Sequence, residues 1–252
     1  MQNKATLLNE LQVAAIDPTG VLLIHSSMKA LGEIEGGAET VINAFSEYMQ
    51  NGLLIIPTHT WAPHCNSDNR YDPDTEPACT GILGELFRQC NGVVRSLHPT
   101  HSVAALGDDA EAFIAGEEQY DTPCPPNGVW GRLEQCDAQI LFLGCPLSKN
   151  TFIHSIEEKF NIPLRLSKSF SQYQIKNGAE WISRPMRKHE SPCGDISLNY
   201  AKLLPVFLQR GAAKQVTIGE SISYLCSANQ MAAICGEYLI DDPDFFAHAN
   251  ME

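Results

Sequence analysis

The chain has 252 residues, of which 44% are hydrophobic and 19% charged, which is typical of a globular protein long enough to bury a core. Its net charge of −13 argues against a nucleic-acid partner and fits either a cleft for a cationic ligand or an ordinary acidic surface. It has no apolar run of about eighteen residues, the length a membrane span needs, and no apolar signal core at its start, so we expect a cytoplasmic protein.

The first part of the chain predicts alternating helices and strands. Leucines at near-helical spacing predict a helix over residues 4–15, and apolar runs predict buried strands at 20–24 and 53–57. An amphipathic helix is predicted between those strands, at 38–49. The order strand, helix, strand predicts a parallel pair with a right-handed crossover.

The middle of the chain mixes loops with short elements. The predicted elements are, in order, a polar loop at 62–79, a helix at 81–90, short strands within 93–107, a helix of about eight residues from Asp108, a proline-rich loop at 116–128, a strand at 140–144, and a helix that carries His154.

The last ninety residues differ in pattern. Residues 162–184 alternate polar and apolar side chains around Lys176-Asn177-Gly178, which predicts a β-hairpin. Helices are predicted at 200–209 and 220–236. We therefore expect a single mixed α/β domain over residues 1–252, with a central, largely parallel sheet and a small antiparallel addition at about 162–190.

The nine cysteines are an odd number and contain no C-x-x-C pair. This pattern favours reduced thiols over a disulfide framework, and a zinc site would need tighter Cys/His spacing. The sequence also lacks the glycine-rich motifs of P-loop and dinucleotide-binding proteins and the G-x-S-x-G elbow of the α/β-hydrolases.

Polar residues follow two of the predicted strands. His25-Ser26-Ser27 could hold a phosphate through hydroxyl and backbone N–H groups, or could simply cap a helix. His98 and His101 could ligate a metal, but they supply two local ligands only, and Pro99 argues against a helix that would hold both. Structural histidines, or the wall of a substrate pocket, are the alternative for this pair.

His154 and Glu157 are three residues apart, so on a helix they point the same way. They follow the predicted strand at 140–144, and α/β proteins bind ligands beyond the carboxyl ends of strands. An imidazole beside a carboxylate can act as a general base near neutral pH. Glu158 is an alternative partner at i+4, a remote acid such as Glu190 is another, and a surface pair without chemistry is the ordinary outcome.

Several segments together resemble the aminoglycoside 3-N-acetyltransferases, the antibiotic N-acetyltransferase family. The resemblance rests on His25-Ser-Ser-Met-Lys-Ala-Leu-Gly32 with Gly36-Gly37, and on Arg95-Ser-Leu-His-Pro-Thr-His-Ser-Val103. It continues through Asp121-Thr-Pro-Cys124 to Asn150-Thr151 and Glu157. It holds from about residue 20 to residue 160 and is weaker beyond.

The resemblance implies direct acetyl transfer from acetyl-CoA to the 3-amino group of a 2-deoxystreptamine antibiotic, hence antibiotic resistance, on a fold distinct from the GNAT acetyltransferases. It implies no metal, and a monomer or homodimer. His154 matches the family's active-site histidine, and Glu157 the acid that follows it. The residues that it places near the coenzyme are His25, Ser26, Ser27, His101, Ser102 and Val103.

Acidic loop residues are candidates to pair with the ammonium groups of the substrate. They are Asp68, Asp72, Asp74, Glu76 and Asp121, and of these we assign Asp72 and Asp121, with His98, to the substrate side. Three alternatives stay open: the same chemistry on a different amine metabolite, a drug- or coenzyme-binding protein without turnover, and a metal-dependent hydrolase that uses His98 and His101.

Overall fold

Two β-sheets of unequal size organise the chain, in a computed structural model that describes residues 1–62, 65 and 67–248. The strands are β1 (Val21–Ser26), β2 (Leu53–Pro57), β3 (Arg70–Tyr71), β4 (Val94–Arg95), β5 (Val103–Leu106), β6 (Gln139–Leu143), β7 (Ser171–Asn177), β8 (Glu180–Met186), β9 (Ala213–Ile218) and β10 (Ser221–Ser227). The α-helices are α1 (Lys4–Val13), α2 (Gly37–Tyr48), α3 (Ile82–Phe87), α4 (Ala110–Ile114), α5 (Val129–Gln135), α6 (Phe152–Lys159), α7 (Leu204–Gln209) and α8 (Ala228–Asp241).

The larger sheet has seven strands in the order β4-β5-β2-β1-β6-β10-β9. The three central strands are mutually parallel, which confirms the predicted parallel pair of β1 and β2. The outer strands pair antiparallel, because β5 folds back on β2 and β9 and β10 form a hairpin beside β6. The predicted mixed α/β fold is confirmed, with its parallel part confined to the centre.

Helices cover both faces of this sheet. Leu22, Ile24 and Leu54 pack on one face in a cluster with residues of α1, α2 and α3. Leu23 and Ile55, at the alternate positions, pack on the other face with residues of α5, α6 and α8. Central strands buried on both faces require continuous apolar runs, and this explains why β1, β2 and β6 were recognisable in the sequence.

The smaller sheet has the order β3-β7-β8 and confirms the predicted antiparallel addition. β7 and β8 pair from Ser171 with Met186 to Asn177 with Glu180. Gly178 in the connecting turn has φ +60°, a conformation that glycine adopts without steric cost. The two-residue strand β3 lies inside the predicted loop at 62–79 and pairs in parallel with β7.

The predicted helix at 220–236 is wrong in its first part. Ser221–Ser227 form strand β10, and helix α8 begins only at Ala228, where the Ser227 side chain caps it by accepting from the N–H of Gln230. Serines 221 and 223 face inward while Ile222 is 59% exposed, so the alternation is inverted relative to an ordinary half-buried strand. Strand β9 and helix α5 were not predicted.

None of the helices within the described residues is long and apolar enough to span a membrane.

Candidate active site

A cavity of about 1250 Å³ opens beyond the carboxyl end of β1. Its wall includes His25, Ser26 and Ser27 from that strand end, and His154 from α6. Gly144 follows β6 with φ +62°, and a Cβ there would meet the Cβ of Ala30 at 2.6 Å. A glycine therefore lets the chain turn closely past the end of β1 and carry residues 145–151 along the cavity to the start of α6.

Helix α6 sets the position of His154. Phe152, Ile153 and Ile156 are fully buried and hold the helix against the core. His154 and Glu157 lie one turn apart on the same face, and His154 Nδ1 is 3.1 Å from Glu157 Oε2. The Glu157 side chain is buried, whereas His154 reaches the cavity.

Two further residues hold Glu157 in place. Arg165 donates from Nε to Glu157 Oε1 at 3.0 Å, and both side chains are buried. Tyr200 donates its hydroxyl to Glu157 Oε2 at 2.6 Å, and the same hydroxyl oxygen is 2.7 Å from His154 Nδ1. A buried carboxylate is tolerated where a counter-charge and hydrogen bonds surround it, as they do here.

These contacts define the tautomer of His154. Burial and the adjacent Glu157 raise the pKa of Tyr200 well above its usual value, so its hydroxyl keeps its proton and donates it to Glu157. The proton on Nδ1 of His154 is then shared between Glu157 Oε2 and the Tyr200 oxygen. Nε2 is left with a lone pair, which is the arrangement a neutral imidazole needs to accept a proton.

Glu158 faces a different partner from Glu157. Its Oε1 is 3.0 Å from His189 Nε2 and accepts from the backbone N–H of Cys124 at 2.8 Å. Burial raises the pKa of Glu158 to about 7. The structure therefore places Glu157, rather than Glu158, beside His154. Glu190, the remote alternative, lines the cavity, and its backbone N–H donates to the carbonyl of Arg165.

Six of the seven histidines that the structure describes gather around the cavity. The His154 ring stacks on His189 with centroids 3.9 Å apart, His189 lies 5.3 Å from His101, and His101 lies 4.8 Å from His59. His25, stacked on Phe142, and His98 complete the group. Burial lowers the pKa of His25 to about 3 and that of His98 to about 4, and it lowers those of His59, His101 and His189 well below 6.5.

His98 is a structural residue of the loop that precedes β5. Its Nδ1 accepts from the backbone N–H groups of Thr100 and His101, and its Nε2 bonds the carbonyl of Thr122. Both ring nitrogens are engaged, so His98 and His101 do not form a metal-binding pair. A different group of donor atoms meets beside the cavity. One ligand atom each from His101, Cys124 and His189 lies within 4.8 Å of the other two, and Cys124 is buried behind the wall that the two histidines line.

The residues expected near the coenzyme fall into two sets. His25, Ser26, Ser27 and His101 line the cavity, where Lys29 and Lys149 add positive charge. Ser102 and Val103 are fully buried behind the wall, at the start of β5, where the Ser102 hydroxyl donates to the carbonyl of Thr58 at 2.7 Å.

The residues expected on the substrate side lie outside the cavity wall. Asp72 pairs with Lys176 at 2.8 Å, Asp121 is exposed, and His98 is fully buried. Among the described residues, the carboxylates that line the cavity are Glu157, Glu190 and Asp195. Sequence spacing missed Arg165, His189 and Tyr200, because they reach the site from other segments of the chain.

Comparisons with known proteins agree on one family. Residues 23–240 match the sequence model described as aminoglycoside 3-N-acetyltransferase. The chain is 27% identical to aminoglycoside N(3)-acetyltransferase VII of Streptomyces paromomycinus, over 90% of this chain and 88% of that protein. It is 27% identical to aminoglycoside N(3)-acetyltransferase IV of a Salmonella species, over 97% of this chain and 90% of that protein.

Solved structures share the fold. A mutant of the aminoglycoside acetyltransferase AAC(3)-IVa in complex with apramycin superposes with a TM-score of 0.80 at 25% identity, covering 100% of this chain and 99% of that one. AAC-IIIb in a binary complex with CoASH superposes with a TM-score of 0.83 at 22% identity, covering 95% of this chain and 96% of that one.

Proposed function

The chain belongs to the aminoglycoside 3-N-acetyltransferase family, and we propose that it transfers an acetyl group from acetyl-CoA to the 3-amino group of a 2-deoxystreptamine aminoglycoside, thereby conferring resistance. One observation carries the proposal: His154, oriented through Nδ1 by Glu157 and Tyr200, lines a cavity of about 1250 Å³, and its Nε2 has no hydrogen bond to the described residues. Drug-sized ligands occupy pockets of about 300 to 1,000 Å³, so this cavity has room for parts of two substrates.

His154 acts as the general base. The substrate amine is protonated in water and cannot attack until it loses a proton, which Nε2 accepts. The neutral amine then attacks the thioester carbonyl. The new C–N bond forms, the C–S bond breaks, the nitrogen loses a second proton, and the departing sulfur takes one proton. The net products are the amide, CoA with a free thiol, and one released proton, and no covalent enzyme intermediate or metal takes part.

Glu157, Arg165 and Tyr200 position the base. As His154 gains a proton, the imidazolium is stabilised by the Glu157 carboxylate at 3.1 Å. Arg165 supplies the counter-charge for the buried Glu157 carboxylate, and the Tyr200 hydroxyl contacts both that carboxylate and the His154 ring. The three residues act through His154, whereas His154 alone contacts the reacting amine.

The end of β1 forms the coenzyme side of the proposed site. The serine hydroxyls of Ser26 and Ser27, with the ammonium groups of Lys29 and Lys149, suit the phosphates of acetyl-CoA. His25 Nε2 is buried and has no hydrogen-bond partner in the part of the chain that the structure describes, so a ligand can supply one. Ser102 and Val103 would support this wall from behind, next to His101.

A second acceptor class is favoured by the charge of the wall. Among the described residues that line the cavity, cationic side chains outnumber carboxylates. The cations are Lys29, Lys149, Arg165, Arg187 and Lys188, and the carboxylates are Glu157, Glu190 and Asp195. A polycationic aminoglycoside would bind more weakly here than beside an acidic wall. The alternative is an acetyl-CoA-dependent N-acetyltransferase of the same family that acts on a different amine, with fewer positive charges. Neither Asp72 nor Asp121 lines the cavity.

Release of CoA thiol tests both candidates. The purified chain is incubated with acetyl-CoA and, in separate reactions, with apramycin, gentamicin, sisomicin and a panel of mono- and diamines, and free thiol is followed by a disulfide reagent. Turnover with an aminoglycoside, with product acetylated at the 3-amino group by NMR, supports the first candidate. Turnover with small amines alone supports the second. Tight CoA binding without thiol release from any amine refutes both and leaves a binding protein.

A further inference from the structure

Three residues from separate segments meet next to the proposed base: two line the cavity, and the third is buried behind its wall. His101 precedes β5, Cys124 lies in the loop before α5, and His189 follows β8. Their ligand atoms lie within 4.8 Å of one another. Neither the proposed acetyl transfer nor the coenzyme contacts use Cys124 or the His189 ring as a reacting group.

Each imidazole of this group has one nitrogen engaged by an orienting partner. His189 Nε2 bonds Glu158 Oε1 at 3.0 Å, and His101 Nδ1 bonds the Thr100 hydroxyl at 2.9 Å. The remaining nitrogens are His189 Nδ1 and His101 Nε2. Histidines that ligate metals characteristically donate their second N–H to a carboxylate or another oxygen, so both rings already have the outer contact that a metal site requires.

Cys124 supplies the sulfur ligand. Its side chain is fully buried, and its backbone N–H donates to the same Glu158 oxygen that contacts His189. Glu158 therefore ties the sulfur-bearing loop to the His189 ring. Two imidazoles and one thiolate are a ligand set that suits zinc.

We propose that His101, Cys124 and His189 form a zinc-binding site in the wall of the cavity, with its fourth coordination position open to the cavity. Zinc would be an inhibitor at this site rather than a cofactor of the reaction. On binding, the Cys124 thiol passes its proton to solvent, so that zinc and the thiol give a zinc thiolate and one proton.

The geometry requires a small contraction. Tetrahedral zinc with Zn–N of about 2.0 Å and Zn–S of about 2.3 Å places its ligand atoms about 3.3 to 3.8 Å apart. Ligand atoms now within 4.8 Å must therefore approach by about 1 Å. His101 and His189 are only partly buried and line the cavity, so both rings can move toward Cys124.

Occupation of this site would stop acetyl transfer, a consequence that rests on the proposed function. The His189 ring stacks on the His154 ring at 3.9 Å between centroids, so the ion would stand beside the base. A dication there repels the ammonium group of the acceptor and fills the space through which it approaches.

Cobalt substitution tests the binding itself, without any need for turnover. The metal-free protein is titrated with Co²⁺, and a thiolate-to-cobalt charge-transfer absorption at about one ion per chain is expected, which Zn²⁺ then displaces. Loss of a residue that hydrogen-bonds a metal ligand typically weakens metal binding by about 10- to 100-fold. Cys124→Ala removes a ligand itself, so it should weaken binding by more than about 100-fold and abolish the absorption. Cys145→Ala is the matched control, since Cys145 is also buried and lines the cavity, and it should behave like the wild type.

Absence of the absorption in the wild-type protein, or its persistence in Cys124→Ala, overturns the proposal. If Cys124→Ala does not fold, the Co²⁺ titration is repeated with His189→Gln, which keeps the thiol and removes a nitrogen ligand. This variant should also bind Co²⁺ more weakly than the wild type. In the thiol-release assay, Zn²⁺ should inhibit the wild type, a chelator should restore it, and Cys124→Ala should resist. Equal inhibition of both proteins places zinc elsewhere and contradicts the proposal. The Co²⁺ titration does not require turnover. If the protein transfers no acetyl group, the proposed function fails while the proposed metal site can still be tested.

Discussion

Substitution of Tyr200 by phenylalanine tests whether the network behind His154 supports the base. The change removes one hydroxyl that lies 2.6 Å from Glu157 Oε2 and 2.7 Å from His154 Nδ1, and it leaves the buried ring in place. A hydrogen bond to a charged group contributes about 1.5 to 3 kcal/mol. We expect this hydrogen bond to stabilise the transition state, in which His154 gains a proton. Its loss should then lower kcat by about 10- to 100-fold, because about 1.4 kcal/mol corresponds to a factor of ten in rate.

The assay is thiol release at saturating acetyl-CoA, with kcat and KM measured separately. Tyr200 does not line the cavity, so KM for the amine should change by less than about twofold. Tyr71→Phe is the matched control. Tyr71 is equally buried and donates its hydroxyl to the carbonyl of Ser96 at 2.8 Å, a bond that does not involve His154 or Glu157.

Tyr71→Phe should lose about 0.5 to 1.5 kcal/mol of unfolding free energy, and Tyr200→Phe, whose hydroxyl bonds a carboxylate, about 1.5 to 3 kcal/mol. Only Tyr200→Phe should lose turnover. A folded Tyr200→Phe variant with kcat within twofold of the wild type, or an equal fall in the Tyr71→Phe control, would refute the positioning role.

Four other substitutions probe buried charges. Glu157→Gln should lower kcat by about 10- to 100-fold, whereas Glu158→Gln, whose carboxylate contacts His189, should leave the orientation of the base intact; equal losses in the thiol assay would contradict this. Arg165→Met leaves the Glu157 carboxylate without its counter-charge and should cost about 3 to 5 kcal/mol in urea unfolding. Burial raises the pKa of Glu117 from 4.5 to about 7, so its contribution to stability is fully present below pH 4.5 and is lost as the pH rises through about 7. Glu117→Gln should therefore raise the unfolding free energy at pH 8 by up to about 3 kcal/mol and leave it unchanged at pH 4.5, and thermal melts that shift equally at both values would contradict it.

The sequence predicts those elements whose buried residues or turns form a pattern within a few consecutive positions of the chain. Strands β1, β2 and β6 are apolar on both faces, and the β7–β8 hairpin turns at residues 178–179, at the end of the predicted Lys176-Asn177-Gly178 segment. The sequence predicts a helix where strand β10 forms, because the inward residues of this strand are polar. Ser223 accepts from the backbone N–H of Gly144 and bonds Ser221, contacts that exist only after the sheet has formed.

The same distinction applies to the candidate site. The proximity of His154 and Glu157 follows from helical spacing alone. Arg165 is eight residues beyond Glu157 and Tyr200 is 43 beyond it, so their contacts depend on how later segments pack across α6. The assignment of Asp72 to the substrate side used composition only, and composition does not reveal that Lys176, on a distant strand, faces it at 2.8 Å.

Turnover of His154→Ala is the most direct test of the account. Thiol release from acetyl-CoA is measured for the wild type and the variant with the best acceptor of the amine panel, with His248→Ala, an exposed histidine of the chain, as the control. We expect His154→Ala to lose about two to four orders of magnitude in kcat while it still binds CoA, and the control to keep full activity. A folded His154→Ala variant with near-normal turnover would show that His154 is not the base.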